Sequence, residues 1–149
     1  MTGRVVHVND TRPDPLPAET YDRVRTAILA ALASGSAAGT GVPSAEVSLT
    51  LVGSGRMREL NARYHGADEP TDVLAFDLGT GEGALLGDVY VCVDLAAGAA
   101  EDHGETLDDE LARLAIHGTL HLLGHDHPEG AERWDCEMYR LQERLLAEL

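Results

Sequence analysis

The segment HGTLHLLGHDH, from His117 to His127, constrains the fold of this chain more than any other feature of its sequence. His117 and His121 are four residues apart, so an α-helix places both imidazoles on the same face. Gly124 allows the chain to turn back, because glycine reaches the left-handed conformation that ends helices. His127 then arrives from the loop. We therefore predict one divalent metal ion held by His117, His121 and His127, and three nitrogen ligands with an open position are typical of catalytic zinc.

The same histidine spacing occurs in zinc metalloproteases with the motif HExxHxxGxxH, which makes peptide hydrolysis one candidate function. Those enzymes carry a glutamate directly after the first histidine, where it acts as the general base. The corresponding residue here is Gly118. The sequence therefore has the metal ligands of such a peptidase without its base. Other transition metals also accept imidazole ligands, so the spacing favours zinc without excluding them.

Three further polar residues lie near the histidines in the sequence or on the same helix. Asp126 either orients a ligand by accepting a hydrogen bond from its second ring nitrogen or caps the turn at Gly124, and the sequence leaves both open. The His125 side chain is expected to face the pocket mouth or solvent. Glu110 lies about two helical turns before His117, roughly 10 Å along the axis, which is too far for a ligand. We expect Glu110 to form a salt bridge or to cap the helix.

The chain is strongly acidic, with 26 Asp and Glu residues against 11 basic residues and a net charge of -15. All of the basic residues are arginine. Bulk charge of this sign opposes nucleic-acid binding, which depends on neutralising phosphates. A nucleic-acid substrate therefore requires positive charge concentrated at the site, and a bound metal ion would supply part of it.

Length and composition predict one domain spanning residues 1–149. The N-terminal residues lack the apolar stretch of a signal peptide, and the most apolar run, 27–33, is too short to span a membrane. We therefore expect a cytoplasmic protein. Cys92 and Cys136 form no CxxC motif and are expected to be reduced, buried small side chains.

Hydrophobic periodicity predicts an α+β fold, with a single mixed β-sheet of about four strands packed with helices. One helix is zincin-like because it carries the histidines, and Thr106 with Asp109 forms a capping-box-like start for it. The last helix is predicted from Gly130 to the end, with Trp134 facing inward. Strands are predicted near 5–8 and at 46–52, 73–78 and 87–93, and helices at 18–33, 56–64, 94–100, 106–124 and 130–149.

The histidine segment and its surroundings resemble the YbeY family of bacterial metal-dependent endoribonucleases. HGTLHLLGHDH is the specific part of the resemblance, which covers roughly Val47 to the C-terminus. Supporting segments are Leu60-Asn61 to Tyr64, Pro70 to Phe76, Gly87-Asp88, Glu110-Leu111 and Met138.

The resemblance implies a single-domain α+β fold with zinc held by His117, His121 and His127. The implied activity is hydrolysis of single-stranded RNA, with a role in 16S rRNA 3′-end maturation and ribosome quality control. The implied partners are ribosomal RNA and, as candidates, ribosomal proteins or assembly factors. Zinc can activate a water molecule or polarise a phosphoryl oxygen as a Lewis acid, so the missing glutamate base does not conflict with this chemistry.

The chain departs from the family pattern at His65, where the family typically has an arginine thought to aid catalysis. An arginine offers phosphate a fixed charge, whereas histidine is charged only when protonated. Either His65 acts as an acid/base or phosphate contact, or Arg63 substitutes, or nuclease activity is weak. Ala75, where the family usually has serine, is a second and minor departure.

The predicted helix at 56–64 is the most basic stretch of the chain, and we expect Arg56 and Arg58 to contact RNA. The alternative is a solvated charged face, since Glu59 and Arg63 stand four residues apart. Asp72 either caps a turn or supports the metal site from behind the ligands.

Two further functions stay open at this point. A metalloprotease is disfavoured by Gly118. A non-catalytic ribosome-assembly module, in which zinc only stabilises the fold, is favoured by the acidic charge and by His65 in place of the arginine.

Overall fold

Four strands and five helices follow one another in the computed structural model, which describes residues 3–42, 44–79, 84–130, 132 and 135–149. The strands are β1 (Gly3–Asp10), β2 (Ser44–Val52), β3 (Val73–Asp77) and β4 (Ala84–Cys92). The helices are α1 (Ala18–Ala33), α2 (Ser54–His65), α3 (Val93–His103), α4 (Leu107–Leu122) and α5 (Glu137–Ala147).

The described strands form one mixed sheet in the order β1-β2-β4-β3. β1 pairs in parallel with β2, and β2 pairs in parallel with β4. β3 pairs antiparallel with β4, with Val73 opposite Val91 and Ala75 opposite Val89. The predicted α+β class with a single mixed sheet is therefore confirmed, and β3 lies at one edge of it.

Side chains alternate between the two faces of the sheet, as the period of a β-strand requires. On one face, Val47, Leu49 and Leu51 of β2 are fully buried in the main core, which the apolar sides of α1, α4 and α5 complete. On the other face, Leu74 and Cys92 belong to a smaller cluster with Met57 and Leu60 of α2. Helix α4 and helix α2 therefore cover different apolar clusters.

Helix α4 packs closely against β4 at two positions, and glycine stands at both of them. A Cβ on Gly118 would be 2.6 Å from Cγ1 of Val89, and a Cβ on Gly87 would be 2.5 Å from Cδ1 of Leu122. A side chain at either position would force its neighbour to shift. The helix that carries His117 and His121 is thus seated directly on the sheet.

The ends of α4 have the predicted capping residues. Thr106 is the N-cap, and its Oγ1 accepts a hydrogen bond of 3.1 Å from the Asp109 amide. At the other end, Gly124 has φ of +93°, and the His125 amide donates back to the Leu120 carbonyl at 3.0 Å. This turn reverses the chain and brings His127 toward the helix.

Several predicted boundaries differ from the structure: β1 covers Gly3–Asp10, β4 begins at Ala84 rather than Gly87, and α3 ends at His103 rather than near Ala100. Val93 begins α3 instead of continuing the strand. The last helix begins at Glu137 rather than near Gly130, because Gly130 adopts φ of +85° in the loop that follows the histidines. Trp134, predicted to face inward from that helix, lies outside the described residues.

Neither cysteine forms a disulfide, and Cys92 is buried as predicted, whereas Cys136 is only half-buried, so the prediction that both are buried is wrong for Cys136. Within the described part of the chain, no helix combines the length and apolar character needed to cross a membrane.

The close contact between α4 and β4 gives a first prediction. We expect Gly118→Ala to reduce the free energy of unfolding by about 1–3 kcal/mol, because the added methyl overpacks a rigid valine contact. The matched control is Gly98 in α3, where a Cβ meets nothing within 4 Å. Gly98→Ala should raise the free energy of unfolding by about 0.5–1 kcal/mol. Urea unfolding measures both, and equal shifts would contradict the close helix–sheet packing.

Candidate metal centre

Three imidazoles converge where α4 ends and the following loop turns back. One ring nitrogen each of His117, His121 and His127 lies within 4.8 Å of the others. The ring centroids are 4.7 to 5.2 Å apart. The predicted ligand set is thus assembled in space, two members from one helical face and the third from the loop after Gly124.

Each of these rings hydrogen bonds through Nδ1 to an oxygen atom. His117 Nδ1 donates to Gln142 Oε1 at 2.7 Å, His121 Nδ1 to the His125 carbonyl at 3.1 Å, and His127 Nδ1 to the Pro128 carbonyl at 3.1 Å. Because an amide or carbonyl oxygen can only accept, each Nδ1 carries the proton. Each Nε2 therefore presents a lone pair, which is the form of imidazole that binds a metal.

The donor set fits a metal ion. Nε2 of His117 and Nε2 of His121 are 3.2 Å apart, although two lone pairs at this distance repel unless a cation lies between them. Tetrahedral zinc with bonds of about 2.0–2.1 Å would hold its nitrogens about 3.4 Å apart, close to the observed separation. Burial, and next the electrostatic influence of His127, lowers the pKa of His121 below its ordinary value of 6.5, which favours the neutral ligand.

Gln142 is a member of the site that the sequence did not reveal. It comes from α5, is 2% exposed, and contacts a ligand 25 residues earlier in the chain. Its amide nitrogen donates to Glu143 Oε2 at 3.1 Å, which fixes the amide oxygen toward His117. Tyr139, also from α5, places its ring 5.5 Å from that of His117 and 5.4 Å from that of His127.

Arg113 joins three carboxylates beside the histidines. Its guanidinium pairs with Glu105 at 2.5 Å, Glu110 at 2.6 Å and Glu143 at 3.0 Å. The expected salt bridge of Glu110 is therefore present. Burial raises the pKa of Glu110, whereas the hydrogen bond to Arg113 lowers that of Glu105. The pKa of Arg113 is raised above its ordinary value, chiefly by its hydrogen bond to Glu105.

The histidines open into a cleft of about 1120 Å³. Its wall includes His65 from the end of α2, Thr71 and Asp72 from the loop before β3, and Ala75 from the edge strand. His65 is exposed, so its imidazole is accessible within the same cleft as the metal ligands. The structure thus brings His65 to the site, and its chemical role stays a prediction.

The residues between the ligands act mainly through their hydrogen bonds to the backbone. Asp126 Oδ1 accepts a hydrogen bond of 2.8 Å from the His127 amide, which favours its role in the turn. His125 supplies a carbonyl to His121, while its own Nε2 is buried without a hydrogen-bond partner among the described residues. We expected the His125 ring to face the pocket mouth or solvent. Its Nε2 atom is buried instead, so this expectation is wrong for that part of the ring. The Asp72 carbonyl accepts from the Cys92 amide at 2.8 Å, and support of the metal site by the Asp72 side chain stays a prediction.

The arginines of α2 are absent from the described cleft wall. Arg58 forms two hydrogen bonds to Asp68, at 2.8 and 3.0 Å, and Arg56 pairs with Glu59 at 3.2 Å. Glu59 thus pairs with Arg56 rather than with Arg63. Arg63 instead lies over the ring of Tyr64, 5.3 Å from its centroid. RNA contact by Arg56 and Arg58 and a catalytic role of Arg63 stay predictions. Because Arg63 lies outside the cleft, its position favours RNA binding over catalysis.

The whole chain is similar to a family of known nucleases. The family model described as Endoribonuclease YbeY matches residues 7–149. The endoribonuclease YbeY of Moorella thermoacetica is 41% identical over 152 residues, covering 94% of each chain. That of Salinispora tropica is 48% identical over 117 residues, covering 69% of this chain and 73% of the relative.

A solved structure has a similar fold. The solution structure of TM1509 from Thermotoga maritima matches with a TM-score of 0.64 and 25% sequence identity, covering 97% of this chain and 88% of that one. The sequence match extends over the histidine helix, the preceding sheet and α5, and so includes every residue that builds the cleft. The chain is therefore a hydrolytic enzyme that belongs to the endoribonuclease YbeY family.

Proposed function

We propose that this enzyme is a zinc-dependent endoribonuclease that cleaves single-stranded RNA, with the 3′ end of 16S rRNA as its substrate in the cytoplasm. Ribosomal proteins or assembly factors, which accompany ribosomal RNA, are the protein partners that we expect. The observation that carries the proposal is the convergence of three Nε2 lone pairs in an open cleft. A site with three imidazole ligands and access for a substrate matches catalytic rather than structural zinc.

In this proposal the metal ion, when bound, supplies Lewis acidity and a lowered pKa for a coordinated water molecule. The protein's side chains position the ion and the RNA substrate. His117, His121 and His127 hold the ion, and His65, which lines the same cleft, contacts the scissile phosphate or transfers a proton. Asp72, also in the cleft wall, supports the site from behind the ligands.

The acidic wall of the cleft must admit a polyanion. Six carboxylates line it, namely Asp72, Glu105, Glu110, Asp126, Glu129 and Glu143. Three of these surround Arg113, which offsets part of their charge, and a divalent ion would offset more. Metal loading is thus expected to be a condition for RNA binding as well as for cleavage.

Peptide hydrolysis is a poorer match to this site. The position of a metalloprotease's general base is Gly118, where even a Cβ would lie 2.6 Å from Val89. A glutamate there would displace α4 from the sheet. The non-catalytic assembly module remains a second candidate because the net charge is -15 and His65 stands where the resemblance leads us to expect arginine.

The central prediction concerns RNA cleavage. Zinc-loaded protein should cut single-stranded RNA ending in the 16S 3′ sequence, and a duplex of the same sequence should resist. His121→Ala should lose bound zinc and reduce cleavage at least about 100-fold. The control is His7→Ala, since His7 lies on β1 and pairs only with Glu46 among the described residues.

Metal content by mass spectrometry and cleavage on denaturing gels provide the measurements. Equal cleavage by His121→Ala and by the unmodified protein would refute a metal-dependent nuclease. Thermal melts with and without a chelator separate the second candidate. A large stability loss on zinc removal, with no cleavage in either form, would establish the assembly module instead.

A second prediction tests His65. His65→Gln keeps the polar shape without the charge or the titratable proton, and should lower kcat about 100-fold. His65→Arg restores a fixed positive charge. If His65 acts by contacting phosphate, His65→Arg should retain the activity and flatten its pH profile between pH values of about 5 and 8. Full activity of His65→Gln would exclude both roles.

A third prediction tests Gln142 as a positioning residue for His117. Gln142→Leu removes the acceptor for Nδ1 and should weaken zinc binding about 10- to 100-fold in competition with a chromophoric chelator. Gln142→Glu keeps an acceptor but places a second carboxylate beside Glu143. This variant should retain zinc affinity while the metal-free protein melts at a lower temperature. If both variants lose zinc affinity in proportion to their stability, Gln142 has only a structural role.

A further inference from the structure

Three aromatic rings form a cluster on the face of the sheet that carries α2. Phe76 of β3 lies 5.1 Å from the ring of Tyr64 and 6.0 Å from that of Tyr90. The chain has only six Phe, Tyr and Trp residues, so half of them are gathered here. Because the protein has so few aromatic residues, the gathering of three of them at one place suggests a binding function for this cluster.

The cluster is layered from the core outward. Phe76 and Tyr90 are half-buried and pack against the cluster of Met57, Leu60 and Leu74. Tyr64 covers Phe76 but is itself 54% exposed. The inner rings therefore form a rigid base, and Tyr64 presents an aromatic surface to solvent.

A positive charge accompanies this surface. The guanidinium of Arg63 lies over the Tyr64 ring, 5.3 Å from its centroid. Among the described arginines, Arg63 is the only one with neither an ion pair nor a hydrogen bond. In a protein with a net charge of -15, a cation that no carboxylate neutralises is available to an anionic ligand.

The cluster adjoins the metal cleft through His65. Its ring lies 6.2 Å from that of Phe76, and the same side chain lines the cleft with His121. β3 is the edge strand of the sheet, with its side chains divided between the cleft and the aromatic cluster. A strand of RNA lying in the cleft can therefore pass the end of α2 and reach Tyr64.

We propose that Tyr64 and Arg63, supported by Phe76 and Tyr90, form a nucleotide subsite beside the metal cleft. Tyr64 stacks on an unpaired base, and Arg63 contacts a phosphate of the same strand. Bases in a duplex are already stacked on one another and cannot reach the ring, so this subsite selects single strands. The inference rests on the proposed RNA substrate and adds a source of strand selectivity outside the metal centre.

Binding of an uncleavable ligand to the zinc-loaded protein tests the subsite. The probe is a fluorescein-labelled single-stranded 2′-O-methyl oligonucleotide, and fluorescence anisotropy measures Kd. Tyr64→Leu should raise Kd about 5- to 150-fold, the range of base–aromatic stacking. Tyr64→Phe keeps the ring and should stay within about 2-fold of the unmodified protein. Tyr64→Leu should not change the Kd of an abasic strand or of a duplex.

The salt dependence of Kd tests the arginine separately. Arg63→Gln should reduce the slope of log affinity against log salt concentration by about 0.7, the value for one phosphate contact on a single strand. Tyr64→Leu should leave that slope unchanged. The control is Arg144→Gln, because Arg144 is equally a surface cation but pairs with Glu148 on α5, and its slope should match that of the unmodified protein.

The outcomes separate this inference from the proposed function. If the unmodified protein binds and cuts single-stranded RNA but Tyr64→Leu binds it as tightly, the subsite is refuted and the nuclease stands. If Tyr64→Leu loses the abasic strand as much as the base-bearing strand, the ring has only a packing role and the subsite is again refuted. If the unmodified protein binds no single strand, the proposed substrate and the subsite fail together.

Discussion

The close approach of α4 to β4 is the constraint on which the site depends. Because Gly118 and Gly87 carry no side chains, the Val89 side chain of the strand packs against the helix backbone and the Leu122 side chain of the helix packs against the strand backbone. His117 and Gly118 are neighbours, so the contact that seats the helix also fixes where the first ligand projects. This also explains why a general base directly after His117 is incompatible with the fold. Packing against the sheet therefore excludes a glutamate base at position 118, whatever reaction the metal ion supports.

The second constraint is the orientation of the imidazoles. Their acceptors are the Gln142 side chain and the His125 and Pro128 carbonyls, from two separate parts of the chain. The loop after Gly124 supplies the two carbonyls, and the docking of α5 supplies the amide. Local turn geometry and tertiary packing must therefore both be correct before the three lone pairs face one another. Polar networks of this kind stabilise one arrangement because partial satisfaction leaves buried groups unpaired.

The sequence predicted the parts of the site that local geometry determines. Helical spacing placed His117 and His121 on one face, and the glycine turn returned His127 to them. It missed Gln142, because no periodic pattern links a residue in α5 to a ligand 25 residues earlier. It also placed the start of the last helix too early, since apolar periodicity does not reveal that Gly130 adopts a positive φ, which does not fit an α-helix. The sequence also did not reveal how His125 contributes to the site. Its backbone carbonyl accepts a hydrogen bond from His121, and such a contact does not depend on the residue type.

Charge is the remaining physical problem for an acidic protein that acts on RNA. Most of the described arginines are committed to carboxylates, as Arg58 is to Asp68 and Arg113 is to three acidic side chains. Pairing of this kind weakens the nonspecific attraction of those arginines for phosphate. Arg63, which has no carboxylate partner among the described residues, the exposed ring of Tyr64 and the metal ligands all lie near the edge strand β3. When most of the surface attracts phosphate weakly and a few unneutralised groups lie together near β3, the protein can bind one short single-stranded segment in preference to RNA in general.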